Sequence, residues 1–287
     1  MTYGYKSFFY FLFIAVTTFS SCELYNPPEP IPAYIHIDKI DLSTTPLQGT
    51  SSHKITDAWV YINGQLMGCF ELPATFPVLF EGNYQVLIKA GIKINGISAI
   101  RSPYPFFEPY SEIINFQKGT TVTLTPTVTY TSNSNFVFME DFEDSGIAID
   151  TSVGSDTTLQ RLFLPDPNVF AGNSCGIAYL DKTNTFFECV SSQSYTLPKD
   201  GKNIFLEFNY KSNNGFVVGV IAQPPYYLKT ASLNFNPTNE WNKTYLYLTP
   251  AVSGSTNATQ FKIFFGMLNK TNSDSLALLL DNIKLIY

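Results

Sequence analysis

The sequence predicts an all-β protein built as two β-sandwiches in succession. Three observations carry this. After the first twenty-odd residues no apolar stripe recurs at the 3.6-residue helical period. Short alternating runs bounded by Gly, Asn, Pro and Ser recur instead, the mark of strands joined by turns. Aromatic residues make up 16% of the chain and threonine is abundant, both favoured on pleated surfaces.

In chain order, the opening MTYGYKSFFYFLFIAVTTFSSC places one cation, Lys6, before an apolar run from Phe8 to Val16 that fades into small residues, the pattern of a secretory signal peptide over residues 1–21. The run is shorter than the roughly 20 residues a bilayer span needs, so the mature chain is expected to lack a transmembrane helix. Ser20-Ser21 before Cys22 resembles a bacterial lipobox, which implies cleavage ahead of Cys22, acylation of that residue and a lipid anchor in a membrane. An ordinary signal peptide followed by an incidental cysteine is the alternative. Residues 22–33 hold four of the eighteen prolines and read as a semi-rigid tether. Loss of residues 1–21 removes Lys6 and no acid, leaving 16 cations against 23 acids, a net charge of −7 that argues against nucleic-acid partners.

The first body is expected over residues 34–130. "DAWVYINGQLMGCFELP" carries Asn63-Gly64 between two apolar runs, a strong hairpin signal. In "EGNYQVLIKAGIKINGI" Tyr84, Val86 and Ile88 share one face, and Asn95-Gly96 marks another turn. "GTTVTLTPTVTY" supplies a last strand, completing a sandwich of about seven strands. The order of a strand ending in ING, a short strand to a proline, then "VLFEGNYQVLIKAG" resembles PEGA and carboxypeptidase-regulatory-like domains, which implies an immunoglobulin- or transthyretin-like spacer. The stretch from Asp57 to Tyr110 also resembles a set of Bacteroidota outer-membrane lipoproteins.

The polar "TYTSNSN" contains the boundary, residues 131–135. The second body, residues 136–287, opens with F-x-x-D-F-E in "NFVFMEDFED" and closes with L-D-N-I-x-L in "LALLLDNIKLIY". These phrases resemble the jelly roll of carbohydrate-binding modules and of galactose-binding-like and MAM-type domains. The resemblance implies neighbouring first and last strands, with Glu140, Asp141, Glu143 and Asp281 holding a structural calcium ion. Simple alternation puts Asp281 with Leu279, Ile283, Leu285 and Tyr287 on one core-facing side, where a carboxylate needs a partner or a metal. A β-bulge that resets the facing of Asp281, or backbone N–H donors at a corner, is the alternative.

Two further expectations concern cysteines and aromatics. A hairpin folded at Asp181 to Thr183 would set Cys175 opposite Cys189, close enough for a disulfide, with Cys69 left as a buried thiol; three buried thiols are the alternative. In "NEWNKTYLYL" Trp241, Lys243, Tyr245 and Tyr247 alternate with Asn242, Thr244, Leu246 and Leu248. If the leucines face the core, Trp241, Tyr245 and Tyr247 form an outward row suited to stacking on sugar rings, with Tyr226 and Tyr227 bordering the same surface; closure of the sandwich edge by Trp241 is the alternative. His36 and His53 lack a nucleophile or metal partner at a recognisable spacing, and no phosphate loop, CxxC or HExxH is present. The expected protein is therefore a non-catalytic outer-membrane lipoprotein, periplasmic or surface-facing, whose partner is a polysaccharide bound by the C-terminal body. An accessory subunit of an outer-membrane complex is the other reading.

Overall fold

The computed structural model describes residues 29–225 and 227–287. The leader, Cys22 and most of the tether lie outside the described residues, as does Tyr226. Among the described residues no helix is long and apolar enough to cross a membrane.

The N-terminal body contains β1 (Ala33–Ile37), β2 (Asp41–Ser43), β3 (Asp57–Ile62), β4 (Gln65–Glu71), β5 (Ala74–Val78), β6 (Gly82–Lys93), β7 (Arg101–Pro103), β8 (Tyr110–Phe116), β9 (Thr121–Leu124) and β10 (Thr127–Thr129). One layer has the order β5-β1-β9, continued by β2 on β10; the other has β4-β3-β6, with β7 and β8 both on the far edge of β6. The first two strands therefore run parallel to the last two, β1 on β9 and β2 on β10, closing the sandwich. Asn63 and Gly64 turn β3 into β4 with φ of 49° and 80°, the left-handed pair that a two-residue hairpin needs. Ile35, Ile37, Val60, Ile88 and Phe116 fill the space between the layers.

The C-terminal body contains β11 (Phe136–Glu140), β12 (Ile149–Thr151), β13 (Gln160–Phe163), β14 (Ser174–Leu180), β15 (Phe186–Ser191), β16 (Phe205–Ser212), β17 (Phe216–Gln223), β18 (Leu228–Phe235), β19 (Thr238–Tyr247), a short helix α1 (Thr249–Gly254), β20 (Gln260–Leu268) and β21 (Leu276–Ile286). Its first sheet runs β13-β14-β21-β16-β19, with β11 on β21; its second runs β12-β15-β20-β17-β18. Phe187, Phe208, Phe261 and Phe265 pack between them with Leu246, Leu278, Leu280 and Ile283. The opening and closing phrases meet, since Glu140 pairs with Ile283 in the antiparallel β11–β21 ladder.

The hairpin expected at Asp181 to Thr183 does not form. β14 pairs with β13 and β21 in the first sheet, while β15 pairs with β12 and β20 in the second, so the connection crosses the sandwich. Asp181 does shape a turn, accepting from the amides of Thr183 at 2.7 Å and Asn184 at 2.6 Å, but the turn carries the chain between layers. Cys175 lies in the cluster on the outer side of the first sheet and Cys189 in the central core, both free and buried. The disulfide expectation is thereby corrected. Cys69 is also free, but it is exposed on β4, not buried.

The facing of Asp281 is corrected as well. Asn209 pairs with Asp281 and Glu207 with Lys284, so Asn282 and Ile283 together oppose the single residue Phe208. Asn282 carries the bulge with φ of 49°, a conformation asparagine tolerates better than most residues. Leu276, Leu278 and Leu280 face the core before it, and Ile283 and Leu285 after it. Asp281 thus shares the outer face with Leu279 and Lys284.

Candidate functional site

The bulge and the register together lay out that outer face in rows across β21, β16 and β19. Ile286, Phe205 and Tyr247 form one row; Lys284, Glu207 and Tyr245 the next; Asp281, Asn209 and Lys243 a third. Beyond them Leu279 and Lys211 lie beside Trp241, where the β16–β19 register shifts. The leucines of β19 do face the core, so the tyrosines point outward as alternation predicts.

They do not reach solvent, because the N-terminal body sits on the first three rows. Phe205, Tyr245 and Ile286 join its hydrophobic core. Tyr104 Oη donates to Glu207 Oε1 at 2.7 Å, and Tyr130 Oη donates to both Glu207 oxygens at 3.0 Å. Lys243 Nζ lies 3.3 Å from Glu207 Oε2. Ser52 Oγ donates to Asn209 Oδ1 at 2.9 Å, the Lys54 amide to Tyr245 Oη at 3.0 Å, and Lys284 Nζ to the Thr50 carbonyl at 2.6 Å. The end of β6 runs on to the exposed edge of β19: Asn95 N donates to the Tyr245 carbonyl at 2.9 Å, and Tyr247 N to Asn95 Oδ1 at 2.8 Å. Tyr245, 2% exposed, and the partly buried Tyr247 therefore belong to an internal seam. An open stacking row of three aromatics is not what the fold makes of them.

This burial perturbs the charges it traps. Burial lowers Lys243 and brings Lys284 down to about 8, with Glu207 opposing both effects. Asp281 rises to about 7, first through burial and then through the nearby Asp141 and Glu143 charges. Burial also raises Glu140.

On the remaining half of the face Cys175, Ile177 and Leu279 are buried with Leu162, Val169 and Trp241 packed against them, and the outermost rings stand at its margin. Trp241 is half-buried; its Nε1 donates to the Asn168 carbonyl at 3.1 Å and its ring lies 5.1 Å from that of Phe170, tilted by 40°. Phe170 is 39% exposed and Tyr179, outward on β14, 50% exposed. Lys211 Nζ donates to Asn168 Oδ1 at 3.0 Å. From β14 to β19 the sheet crosses three strand spacings, which sets Tyr179 and Trp241 about 14 Å apart across the strands, with Tyr179 offset by two residues along them. Tyr227 is 82% exposed, but it precedes β18 in the opposite sheet and does not border this surface.

The four acids assigned to calcium are not gathered on one ion. Glu140 accepts from the amide of Phe142 at 2.7 Å and from that of Ala148. Glu143 accepts from the amides of Asn173 and Ser174 at 2.8 and 2.9 Å. Asp281 accepts from the Asn282 amide at 2.7 Å and sits buried behind the bulge. Among the described residues no three His, Cys, Asp or Glu side chains group as a metal site. Backbone N–H groups engage Glu140 and Glu143, the buried Asp281 Oδ2 has no partner, and the four acids do not come together as one site, so the residues present do not fit the calcium expectation.

A cleft of about 560 Å³ opens where the two bodies meet. Thr50 lines it from the N-terminal side, and Glu140, Asp141, Asp144, Asn282 and Lys284 from the C-terminal side. The Arg161 guanidinium donates to the carbonyls of Asp144 and Gly146, holding the rim loop in place. Sequence reasoning reached Glu140 and Asp141 but missed Asp144, Asn282 and Lys284, and on the outer face of the sheet it missed Phe170 and Tyr179. The Asp281-Asn282 dipeptide in the middle of an apolar strand was a legible bulge signal; Phe170 sits in a loop without periodicity and had none.

No protein-family model and no curated protein matches the chain. Solved structures with a similar fold include a family 29 carbohydrate-binding module complexed with mannohexaose, at 12% identity and a TM-score of 0.37 over 54% of this chain and 92% of that chain. A second structure of that family, complexed with cellulohexaose, has 12% identity and a TM-score of 0.36 over 54% and 93%. A family 61 module in complex with β-1,4-galactotriose has 14% identity and a TM-score of 0.32 over 48% and 85%. At such values these are likenesses only, and a ligand must be sought in the side chains of this chain.

Proposed function

We propose that the protein is a non-catalytic, lipid-anchored outer-membrane protein that binds polysaccharide on the remaining half of the outer face of the first C-terminal sheet. The observation that carries this is the pair of exposed rings Phe170 and Tyr179, with the half-buried Trp241 packed against Phe170 and Lys211 bonded to Asn168 as polar groups nearby. Aromatic faces stack on the apolar faces of sugar rings, and the flanking amide and ammonium pair with hydroxyls. Rings about 14 Å apart across the strands span several residues of a chain, so the ligand is an extended glycan rather than a monosaccharide. The N-terminal body acts as a spacer and as the cover of the seam, and acylated Cys22 with residues 23–33 tethers both to the membrane.

Affinity electrophoresis of the purified protein against a series of soluble polysaccharides tests this reading. Retardation by at least one, lost on Phe170→Ala and on Tyr179→Ala, is the expected result; both side chains are exposed, so neither change threatens the fold. Unchanged mobility against every polysaccharide would remove the proposal. Incorporation of labelled palmitate, abolished by Cys22→Ser, tests the anchor.

A second reading, an accessory subunit of an outer-membrane complex, is favoured by Phe163 and Leu164, adjacent on the chain and 57% and 54% exposed. Affinity capture from detergent-solubilised membranes should then return defined barrel or transport components, lost on replacing both residues with serine.

A further inference from the structure

We infer that the cleft between the two bodies is a second binding site, separate from the aromatic face, for a small protonated amine that also carries a hydroxyl or carbonyl oxygen, as an amino sugar does. Two independent observations point there. The first is a volume of about 560 Å³, within the range of small-ligand sites, with three carboxylates, Glu140, Asp141 and Asp144, against one ammonium, Lys284, on its wall. The second is an orphan group: Asn282 lines the cleft and is 2% exposed, yet only its Oδ1 is engaged, by Thr50 Oγ1 at 2.7 Å, and its Nδ2 has no partner. A buried amide donor left unpaired is costly unless an acceptor arrives.

The chemistry of the ligand follows from which groups are already occupied. The Glu140 carboxylate is used by two backbone amides, and the Lys284 ammonium donates to the Thr50 carbonyl at 2.6 Å while standing 5.2 Å over the Tyr130 ring. Of the carboxylates lining the cleft, Asp141 engages one oxygen, with the Glu143 amide at 3.2 Å, and the exposed Asp144 carboxylate has no hydrogen-bond partner among the described residues. Two available carboxylates face a cation, and the Asn282 amide faces an acceptor. Anions are repelled by the first pair, and a hydrocarbon would leave all three polar groups unmatched. Arg161, holding the rim from behind, lets the carboxylates meet a ligand without a loop having to order first.

Isothermal titration of the purified protein with glucosamine, N-acetylglucosamine and glucose tests this. Glucosamine should bind, with an affinity that falls as salt is raised, while the two neutral sugars bind at least about tenfold more weakly. Asp141→Asn with Asp144→Asn should weaken glucosamine about tenfold or more. Asn282→Gly, which keeps the left-handed backbone and removes the amide, should weaken it while urea unfolding shows the variant still folded. No heat with glucosamine, equal binding of glucose, or an unchanged affinity in the Asp141/Asp144 variant would each overturn the inference. Because Phe170→Ala leaves the cleft intact, it should not alter glucosamine binding, so failure of the polysaccharide reading and failure of this one are told apart.

Discussion

Replacing Asp281 with asparagine should make the protein more stable at neutral and alkaline pH, progressively less so as pH falls, and leave it unchanged near pH 4. The carboxyl is buried on the outer face of β21, and its proton is held up to about pH 7 against 3.8 when free. Burial is the main cause, the Asp141 and Glu143 charges add to it, and the amides of Asn282 and Ala171 work the other way. Since the folded value lies above the unfolded one, the folded state binds the proton more tightly. Below about pH 3.8 both states are protonated and no penalty exists. Between 3.8 and 7 stability is lost as pH rises, and above 7 the whole penalty is present. The span from 3.8 to about 7, at about 1.4 kcal/mol per pH unit, makes that penalty about 4 kcal/mol. Asparagine mimics the protonated acid and escapes it. Part of the gain is forfeited because Lys243 is also steadied by the Asp281 charge, so a net advantage of about 2–4 kcal/mol at pH 8 is expected. Urea unfolding of both proteins from pH 4 to pH 8 measures it. A stability difference that stayed constant across that range would refute the reasoning, because a purely steric effect of the substitution has no pH dependence.

Three other outcomes are expected. Glu207→Gln removes the charge that Tyr104, Tyr130 and Lys243 converge on, and should cost about 3 kcal/mol; adding Lys243→Met should restore most of it, since the stranded ammonium is the larger part of the damage, with urea unfolding of the single and double variants as the check. In a Cys22→Ser background a thiol reagent should modify Cys69 in the native protein and reach Cys175 and Cys189 only after unfolding, with no disulfide in the intact mass; burial pushes the latter two thiols up, Cys175 to about 12. Excess calcium or EDTA should leave the thermal midpoint within about 1 °C, since a resident ion would add stability in proportion to its occupancy.

The all-β class was legible because its signals are local: alternation along strands, and turn pairs such as Asn63-Gly64 that the backbone uses with positive φ. The outward facing of Tyr245 and Tyr247 was legible for the same reason. What covers them was not, since the cover is Tyr104, Tyr130 and residues 50–54, remote in the chain and carrying no periodic mark of their destination. Alternation failed at Asp281 because one left-handed residue, Asn282, shifts the phase of everything after it. The Cys175–Cys189 pairing failed differently. A carboxylate at Asp181 shaping a tight turn is compatible both with a hairpin and with an arch between layers, and only the long-range partners β20 and β21 decide between them. Of the candidate site residues, Glu140, Asp141 and Trp241 were found, while Asp144, Phe170, Tyr179, Asn282 and Lys284 were not.

The way the end of β6 lies against β19 bears on how this protein can be taken apart. A chain cut near residue 131 to isolate the larger sandwich would shed Asn95 from the Tyr245 carbonyl and the Tyr247 amide, baring ladder groups along a strand edge. It would also wet Phe205, Tyr245 and Ile286 together with Glu207, Lys243 and Lys284. Such a fragment offers other molecules both a raw hydrogen-bonding margin and a greasy flank, the combination that drives strands of separate copies to zip together. Poor solubility of the excised half would then report the loss of its neighbour, and sugar-binding assays on it would sample a surface that the whole chain never shows.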